Sequence, residues 1–162
     1  MAASKYIMKA DDIAALDGLH KIHFINPEAE RINKSLGDYT GLTGFGFHII
    51  EVPVGKASTE YHKHYFEDEC AYVLSGHGQT EIDDEMFDIG PGDFIGYPKD
   101  GPAHRIINTG SDVLRCIVVG ERLPHDVGDY PRKGKRIYRN AGRAWDLVDI
   151  DVIDHPDAGQ KK

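Results

Sequence analysis

Three histidines and one glutamate in the middle of the chain have the types and spacing of metal ligands: His62, His64, Glu69 and His104. Residues two apart on a strand leave the same face, so the imidazoles of His62 and His64 project side by side, roughly 6 to 7 Å apart. Three imidazoles and one carboxylate suit a divalent transition ion such as Mn, Fe, Co, Ni or Zn. Because such a set leaves coordination positions open, the pattern predicts a metal site suited to catalysis.

Other interpretations of these residues stay open at this level. A histidine pair two apart on a strand is also typical of an exposed surface that binds no metal. Glu67 and Asp68 are rival carboxylates beside Glu69, and we expect both to face solvent. Five further histidines have no companion at ligand spacing, and we expect them on the surface: His20, His23, His77, His125 and His155.

Short β-strands are the elements that must position these side chains. The stretch 44–52 is predicted to be a strand, and further strands are predicted at 61–65, 70–75, 79–82, 85–89, 93–97, 103–108 and 114–119. Turn-forming residues separate them, as in Gly-His-Gly at 76–78 and Gly-Pro-Gly at 90–92. Eight or more short strands at regular spacing predict an all-β fold, either a closed barrel or a double-sheet jelly roll.

The segment before these strands has weaker signals. Residues 11–18 have the acids and the glycine of a short capped helix, or form an irregular arm. Residues 21–25 alternate as a strand, with Ile22 and Phe24 expected on the buried face and His23 in solvent. Residues 26–32 favour a helix, with an extended edge strand as the alternative.

The segment after these strands is rich in turn formers and charge. It is expected to wrap the barrel, with a short strand at 136–139 and with Trp145, the only tryptophan, docked in a groove. The domain organisation predicted from these shifts is an N-terminal arm over 1–43, a barrel over 44–120, and a C-terminal tail over 121–162 that packs on the barrel.

Composition narrows the classes of protein that this chain can be. With 19 basic and 27 acidic side chains the net charge is −8, which argues against binding to nucleic acid or to an anionic membrane. There is no apolar run of about eighteen residues and no signal peptide, so we expect a cytoplasmic protein. Its two cysteines, Cys70 and Cys116, are too few for a disulfide scaffold and are expected to be thiols.

Two glycine-bounded motifs resemble the paired motifs of the cupin superfamily. The first comprises Gly55, His62, His64, Glu69 and Gly76, and the second comprises Gly92, Pro98, Gly101, His104 and Asn108. Each motif has one extra loop residue, before His62 and before Gly101, which leaves the order of the ligands intact. The resemblance implies a double-stranded β-helix, in which His62, His64, Glu69 and His104 hold the metal in a narrow interior. It also favours Glu69 over its rivals, because only Glu69 has the family spacing from Gly76.

The function that the resemblance implies is a metal-dependent enzyme acting on a small polar molecule, with a sugar-phosphate isomerase as the specific expectation. The expected cofactor is one divalent transition ion, Mn, Fe, Ni or Zn. The alternatives are an iron-dependent dioxygenase and a non-catalytic module that binds a small ligand. Tyr72, Tyr97 and Ile106 are candidates to line the cavity by strand parity, whereas the sequence assigns no catalytic base. A homodimer is expected on family grounds.

Overall fold

A computed structural model describes residues 5–156 and 159 of the chain. Within them the chain forms two five-residue helices, α1 (Ala10–Ala14) and α2 (Leu36–Thr40), and two 3₁₀ turns, Pro131–Lys133 and Ile150–Val152. The rest of the regular structure is strand: β1 (Leu19–His23), β2 (Asn26–Ser35), β3 (Phe45–Val52), β4 (Lys63–His64), β5 (Glu69–Ser75), β6 (Gly78–Ile82), β7 (Glu85–Ile89), β8 (Phe94–Tyr97), β9 (His104–Ile107), β10 (Leu114–Glu121), β11 (His125–Tyr130), β12 (Lys135–Asn140) and β13 (Asp146–Asp149). No helix among the described residues is long and apolar enough to cross a membrane.

The strands form three antiparallel sheets. Six strands pair in the order β1-β2-β3-β10-β5-β8, four in the order β13-β12-β11-β4, and three in the order β7-β6-β9. A single bridge between His62 and His104 links the four-stranded sheet to the three-stranded sheet. The prediction of an all-β jelly roll is therefore confirmed.

The hydrophobic core lies between the six-stranded sheet and the three-stranded sheet. Its members alternate along their strands, since only one face of each strand turns inward. The buried cluster consists of Ile50, Val52, Ala71, Val73, Ile89, Ile95, Tyr97, Ile106, Leu114 and Cys116. Burial of a side chain the size of Leu114 contributes about 1.5 to 3 kcal/mol, so these residues fix the spacing of the two sheets.

Glycine is required at the turn that ends β5. Gly76 has a φ of 82°, a backbone conformation that L-residues rarely adopt. A Cβ atom there would also lie 2.6 Å from the carbonyl oxygen of Val113. The chain can turn this sharply against β10 only without a side chain.

The N-terminal segment departs from expectation in two ways. Residues 26–32 belong to strand β2, so the predicted helix is wrong and the alternative of an extended strand is right. This segment is extended because it pairs with β1 on one side and β3 on the other, and this pairing overrides the local helix signals. On β1 the predicted faces are reversed: Ile22 is 56% exposed, whereas His23 is partly buried beside Tyr130.

The C-terminal segment adds more strands than expected. The strand predicted at 136–139 corresponds to β12, and β11 and β13 pair on either side of it. Strand β11 also pairs with β4, which brings the tail next to His64. Trp145 is 60% exposed with its ring 5.5 Å from the Arg139 guanidinium, so the expectation of a docked tryptophan is wrong. The outer ends of the predicted arm and tail, residues 1–4, 157, 158 and 160–162, lie outside the described residues.

The side chain of Asn108 connects two turns of the barrel by hydrogen bonds, and a substitution measures what these bonds contribute to stability. Its fully buried amide nitrogen donates to the carbonyl oxygens of Val52 and Asp112, and its amide oxygen accepts from the Gly110 N–H. We expect Asn108→Asp to lower the free energy of unfolding by about 3 kcal/mol or more, because a buried carboxylate cannot donate to these two carbonyl groups. Urea denaturation of metal-free protein measures the loss.

The matched control is Asn26→Asp. The Asn26 side chain only accepts a hydrogen bond, from the Glu28 N–H, and an aspartate can accept the same bond. This variant is expected to unfold at nearly the wild-type urea concentration. Equal losses in the two variants would show that the two donated bonds of Asn108 are not what stabilises the turn.

Candidate metal centre

A pair of backbone hydrogen bonds sets His62 directly opposite His104. The His62 N–H donates to the His104 carbonyl at 3.1 Å, and the His104 N–H donates to the His62 carbonyl at 2.7 Å. Directly paired residues of antiparallel strands project from the same face, so both imidazoles point into the barrel. Their ring centroids lie 4.7 Å apart, and both side chains are buried.

Glu69 lies at the start of β5, where its strand pairs with β8 and β10. Its carboxylate oxygen Oε1 lies 3.9 Å from Nε2 of His104. The structure gathers ligand atoms of His62, Glu69 and His104 within 4.8 Å of one another. Three of the four residues selected from the sequence therefore meet at one point.

His64 lies beside this group, but it is not one of the three members of the group, whose ligand atoms all lie within 4.8 Å of one another. Its ring centroid is 4.9 Å from that of His62, and its Nδ1 donates to Oδ2 of Asp126 at 2.7 Å. Asp126 comes from β11 in the C-terminal segment. Because Nδ1 of His64 is engaged by a carboxylate, the ring nitrogen left for a ligand is Nε2.

The same division of ring nitrogens holds for the other two imidazoles. Nδ1 of His62 lies 2.8 Å from the Glu60 carbonyl oxygen, and Nδ1 of His104 lies 3.3 Å from the Pro102 carbonyl oxygen. A carbonyl oxygen only accepts, so each Nδ1 carries the hydrogen and each Nε2 has a free lone pair. This is the tautomer that binds a metal through Nε2.

One buried nitrogen lacks the partner that a metal would provide. Nε2 of His104 is shielded from water and has no hydrogen-bond partner in the part of the chain that the structure describes, although leaving such an atom unpaired costs about 1 to 3 kcal/mol. A divalent ion held by the three Nε2 atoms and Glu69 would satisfy it. The donor set, three imidazoles and one carboxylate, also fits such an ion.

Burial favours the neutral form of the His62 and His104 imidazoles, the form that binds metal. It lowers the pKa of His104 to about 4 and is the largest cause of the lowered pKa of His62, where the charges of His104 and His64 add to the effect. Burial also raises the pKa of Glu69, against the opposing influence of His64 and Arg31. Removing water therefore favours the neutral forms of His62, His104 and Glu69, and a bound cation would reverse this preference for Glu69.

A second cluster of possible ligands is already neutralised by an arginine. His64, Glu67 and Asp126 also lie within 4.8 Å of one another, but the Arg139 guanidinium forms salt bridges with both Glu67 and Asp126. Glu67 is 5% exposed, so the expectation that it faces solvent is wrong. Its Oε1 also accepts the Leu123 N–H. Asp68, in contrast, is exposed as expected.

The candidate ligands lie in a cavity of about 650 Å³. Tyr97 stacks on His104 with a centroid distance of 3.7 Å and is buried, and Ile106 also lines the cavity. Tyr72 is 43% exposed and is not among the lining residues, so it does not take the predicted place. His20 and His23, expected on the surface, lie in the cavity wall together with His48.

His48 is held in its neutral form by its surroundings. Its Nδ1 lies 3.1 Å from the Asn33 amide nitrogen and 2.9 Å from the Ser35 hydroxyl. Burial is the largest cause that lowers the pKa of His48 to about 4, and the positive charge of Arg122 adds to it. Gly46 leaves the necessary space, since a Cβ atom there would lie 2.5 Å from Nε2 of His48.

Sequence reasoning missed Asp126 and Arg139. Asp126 lies 62 residues from His64, and no spacing rule within the tail marks it as a partner. The available signal was the basic stretch at 133–139, which had to meet acidic groups somewhere on the barrel. That signal does not say which acidic groups these are.

Comparison with known proteins identifies the family. The cupin domain model matches residues 48–120. A crystal structure from Acidithiobacillus ferrooxidans, of a protein named provisionally as a sugar phosphate isomerase, is 48% identical, with 94% of this chain and 97% of that one covered and a TM-score of 0.90. The chain belongs to the cupin superfamily. The barrel that surrounds the candidate ligands is therefore a cupin barrel.

Two further relatives are less similar to this cupin, either in sequence identity or in the length that matches. A Silicibacter pomeroyi structure, named as a sugar phosphate isomerase from a cupin superfamily, has a TM-score of 0.79 at 22% identity, over 90% of this chain and 96% of that one, and shows the shared fold. An uncharacterised protein of Methanocaldococcus jannaschii is 41% identical over 66 residues, which is 41% of this chain. The cupin chain spans about half, 51%, of the length of that curated relative.

Asp126→Asn tests whether the tail orients a metal ligand. Asparagine keeps the shape of the side chain but loses the charge that fixes the His64 tautomer. We expect metal affinity to fall by about 10- to 100-fold, the cost typical of losing a residue that supports a ligand. Competition with a chelator measures the affinity.

The matched control is Asp129→Asn on the same strand. Asp129 forms its salt bridge with Arg136 and not with a proposed metal ligand. Equal losses in both variants would contradict a specific role of Asp126.

The pH dependence of stability tests the environment of His48. In the unfolded chain the His48 imidazole takes up a proton near pH 6.5. In the folded protein its pKa is lowered to about 4, so it takes up the proton only near that pH. The contribution of neutral His48 to stability is therefore complete above pH 6.5 and is lost as the pH falls from 6.5 towards 4. We expect His48→Gln to flatten the fall of the melting temperature over this interval. Identical profiles for the wild type and the variant would contradict the assignment.

Proposed function

We propose that this cupin is a metal-dependent isomerase of a small sugar phosphate, with His62, His64, Glu69 and His104 as ligands of one divalent transition ion. The observation that carries the proposal is the hydrogen bonding of the three imidazoles. Each one uses Nδ1 on an acceptor of the protein and keeps Nε2 free. The three free Nε2 atoms supply lone pairs of the kind that a divalent ion binds.

The provisional name of the Acidithiobacillus ferrooxidans relative supports a sugar phosphate as the substrate. Conversion of an aldose into a ketose moves hydrogen between two neighbouring carbons, with no external oxidant. A divalent ion held by neutral imidazoles and one carboxylate keeps a net positive charge and supplies Lewis-acid polarisation of a carbonyl or hydroxyl oxygen. Open coordination positions suit the two neighbouring oxygens of such a sugar.

The residues of the chain itself would orient the substrate and limit its contact with water. Tyr97 holds the His104 ring in place by stacking, and Ile106 and Val118 add apolar surface to the cavity wall. The His23 and His48 imidazoles lie in the same wall and are neutral at pH 7, because burial is the largest cause that lowers the pKa of each. A neutral imidazole has a free lone pair, so either side chain could accept a proton from a bound substrate.

We also propose the homodimer expected for the family. Strand β1 lies at one edge of the six-stranded sheet, where unpaired backbone groups can bind another chain. Three apolar side chains on or beside this edge are more than half exposed: Leu19, Ile22 and Phe24. A second copy that covers this edge would remove them from water.

Glu69→Gln tests the metal centre and the reaction together. The variant loses the only carboxylate among the four proposed ligands while keeping its size. We expect metal affinity to fall by more than the 10- to 100-fold that loss of a supporting residue costs, and isomerase activity to fall with it. Elemental analysis of the purified protein and interconversion of aldose and ketose phosphates by metal-reconstituted protein measure the two effects.

The matched control is Glu121→Gln. Glu121 lines the same cavity, but its carboxylate accepts the Asp68 N–H, a bond that glutamine can also accept. This variant is expected to retain both metal and activity. Oxygen uptake by an iron-loaded wild type without any isomerisation would replace the isomerase with a dioxygenase. Tight sugar binding without turnover would replace it with a binding module.

A further inference from the structure

Two positive side chains face each other across strands β1 and β2. Lys21 and Arg31 are directly paired in the register of the two strands, so both side chains leave the same face of the sheet. Both line the cavity that contains the candidate metal ligands. They come from the N-terminal arm, outside the two histidine motifs.

Neither of these two cations has a carboxylate partner. Among residues 5–156 and 159, neither Lys21 nor Arg31 forms a salt bridge, whereas the other arginines of the cavity wall do. Arg122 forms a salt bridge with Asp38, and Arg105 forms one with Glu81. Arg139 forms salt bridges with both Glu67 and Asp126. Like charges directly opposite each other destabilise a sheet, so this arrangement costs stability in the free protein.

The Arg31 guanidinium is also incompletely hydrogen-bonded. One terminal nitrogen donates to the Ser58 carbonyl oxygen, but the Nε atom is shielded from water and has no partner. Burial is the largest cause that lowers the pKa of Arg31 and of Lys21, and the positive charge of Arg31 lowers the pKa of Lys21 further. An arginine has five donors in a fixed planar fork, which matches the oxygens of a carboxylate or a phosphate.

We propose that Lys21 and Arg31 together bind the phosphate group of the substrate. The inference rests on the proposed function, since it names the part of the sugar phosphate that the arm recognises. Two adjacent cations match a phosphate monoester, which is close to doubly charged at neutral pH, better than they match a single carboxylate. The bound anion would neutralise the pair and accept from the free donors of Arg31.

The position of Arg31 connects this anion site to the metal centre. Arg31 lines the same cavity as Glu69 and the three histidines. A sugar phosphate anchored at Arg31 would therefore extend towards the four candidate ligands. The arm would select the anionic end of the substrate, and the barrel would hold the end that reacts.

The test uses inorganic phosphate as the probe and calorimetry on metal-stripped full-length protein, so that phosphate cannot bind to a metal. We expect Lys21→Gln and Arg31→Gln each to weaken phosphate binding by at least about tenfold, the effect of losing a charged hydrogen bond. The matched control is Lys99→Gln, which removes the same charge at an exposed position outside the cavity. Equal weakening in the control, or unchanged binding in both cavity variants, would overturn the proposal.

Thermal unfolding separates recognition from a structural role. Without phosphate, Lys21→Gln is expected to melt no lower than the wild type, since it removes a like-charge contact and no hydrogen bond within the described residues. Phosphate is expected to raise the melting temperature of the wild type and not that of the variant. A variant that melts lower than the wild type and still responds to phosphate would assign Lys21 to stability alone.

The remaining outcomes distinguish the two proposals. Phosphate binding that depends on Lys21 and Arg31, in a protein that binds no metal, would retain the anion site and reject the isomerase. Metal-dependent isomerisation that survives Arg31→Gln with an unchanged KM would retain the isomerase and reject the anion site. Binding of malonate with no binding of phosphate would reject phosphate as the ligand class.

Discussion

Buried imidazole nitrogens need partners, and the candidate centre is built around that requirement. His62, His64 and His104 come from two distant parts of the chain and lie close together where little water reaches them. Each Nδ1 finds an acceptor close by: the Glu60 carbonyl, the Asp126 carboxylate and the Pro102 carbonyl respectively. Residues 5–156 and 159 provide no hydrogen-bond partner for Nε2 of His104, and a metal ion is a partner that this geometry fits.

Different segments of the chain supply different parts of the site. The strands with the two motifs place the ligands, because a directly paired His62 and His104 can face inward only if both strands keep their register. The C-terminal segment adds Asp126, which accepts from His64, and Arg139, which forms salt bridges with Asp126 and Glu67. The N-terminal segment adds Lys21 and Arg31 to the lining of the cavity. A barrel without its arm and tail would keep the proposed ligands and lose the side chains around them.

Local sequence patterns predicted the fold and the residues of the centre better than their surroundings. Alternating polar and apolar side chains, together with turn-forming residues, predicted the jelly roll because both depend on local structure within a strand and its turns. The spacing of His62, His64, Glu69 and His104 selected residues that the fold brings close together, with His64 beside the other three. Distant contacts were not predictable in this way, as the 62 residues between His64 and Asp126 illustrate.

The errors have physical causes of the same kind. The helix signals of 26–32 were real, but strand pairing on both sides of β2 outweighed them. The alternation of β1 does not correspond to a buried and an exposed face, since residues of both parities line the cavity. The apolar side chains Ile22 and Phe24 remain exposed there, and Lys21 and His23 line the cavity with them. Glu67 was expected in solvent because nothing nearby in sequence indicated that Arg139 would meet it.

The central claim is that three imidazoles and one carboxylate hold a single ion in this cupin. Anomalous diffraction from a crystal grown with manganese would test it most directly. We expect one strong peak at bonding distance from Nε2 of His62, His64 and His104 and from a carboxylate oxygen of Glu69. A peak between His64, Glu67 and Asp126 instead, or no peak within the barrel, would contradict it.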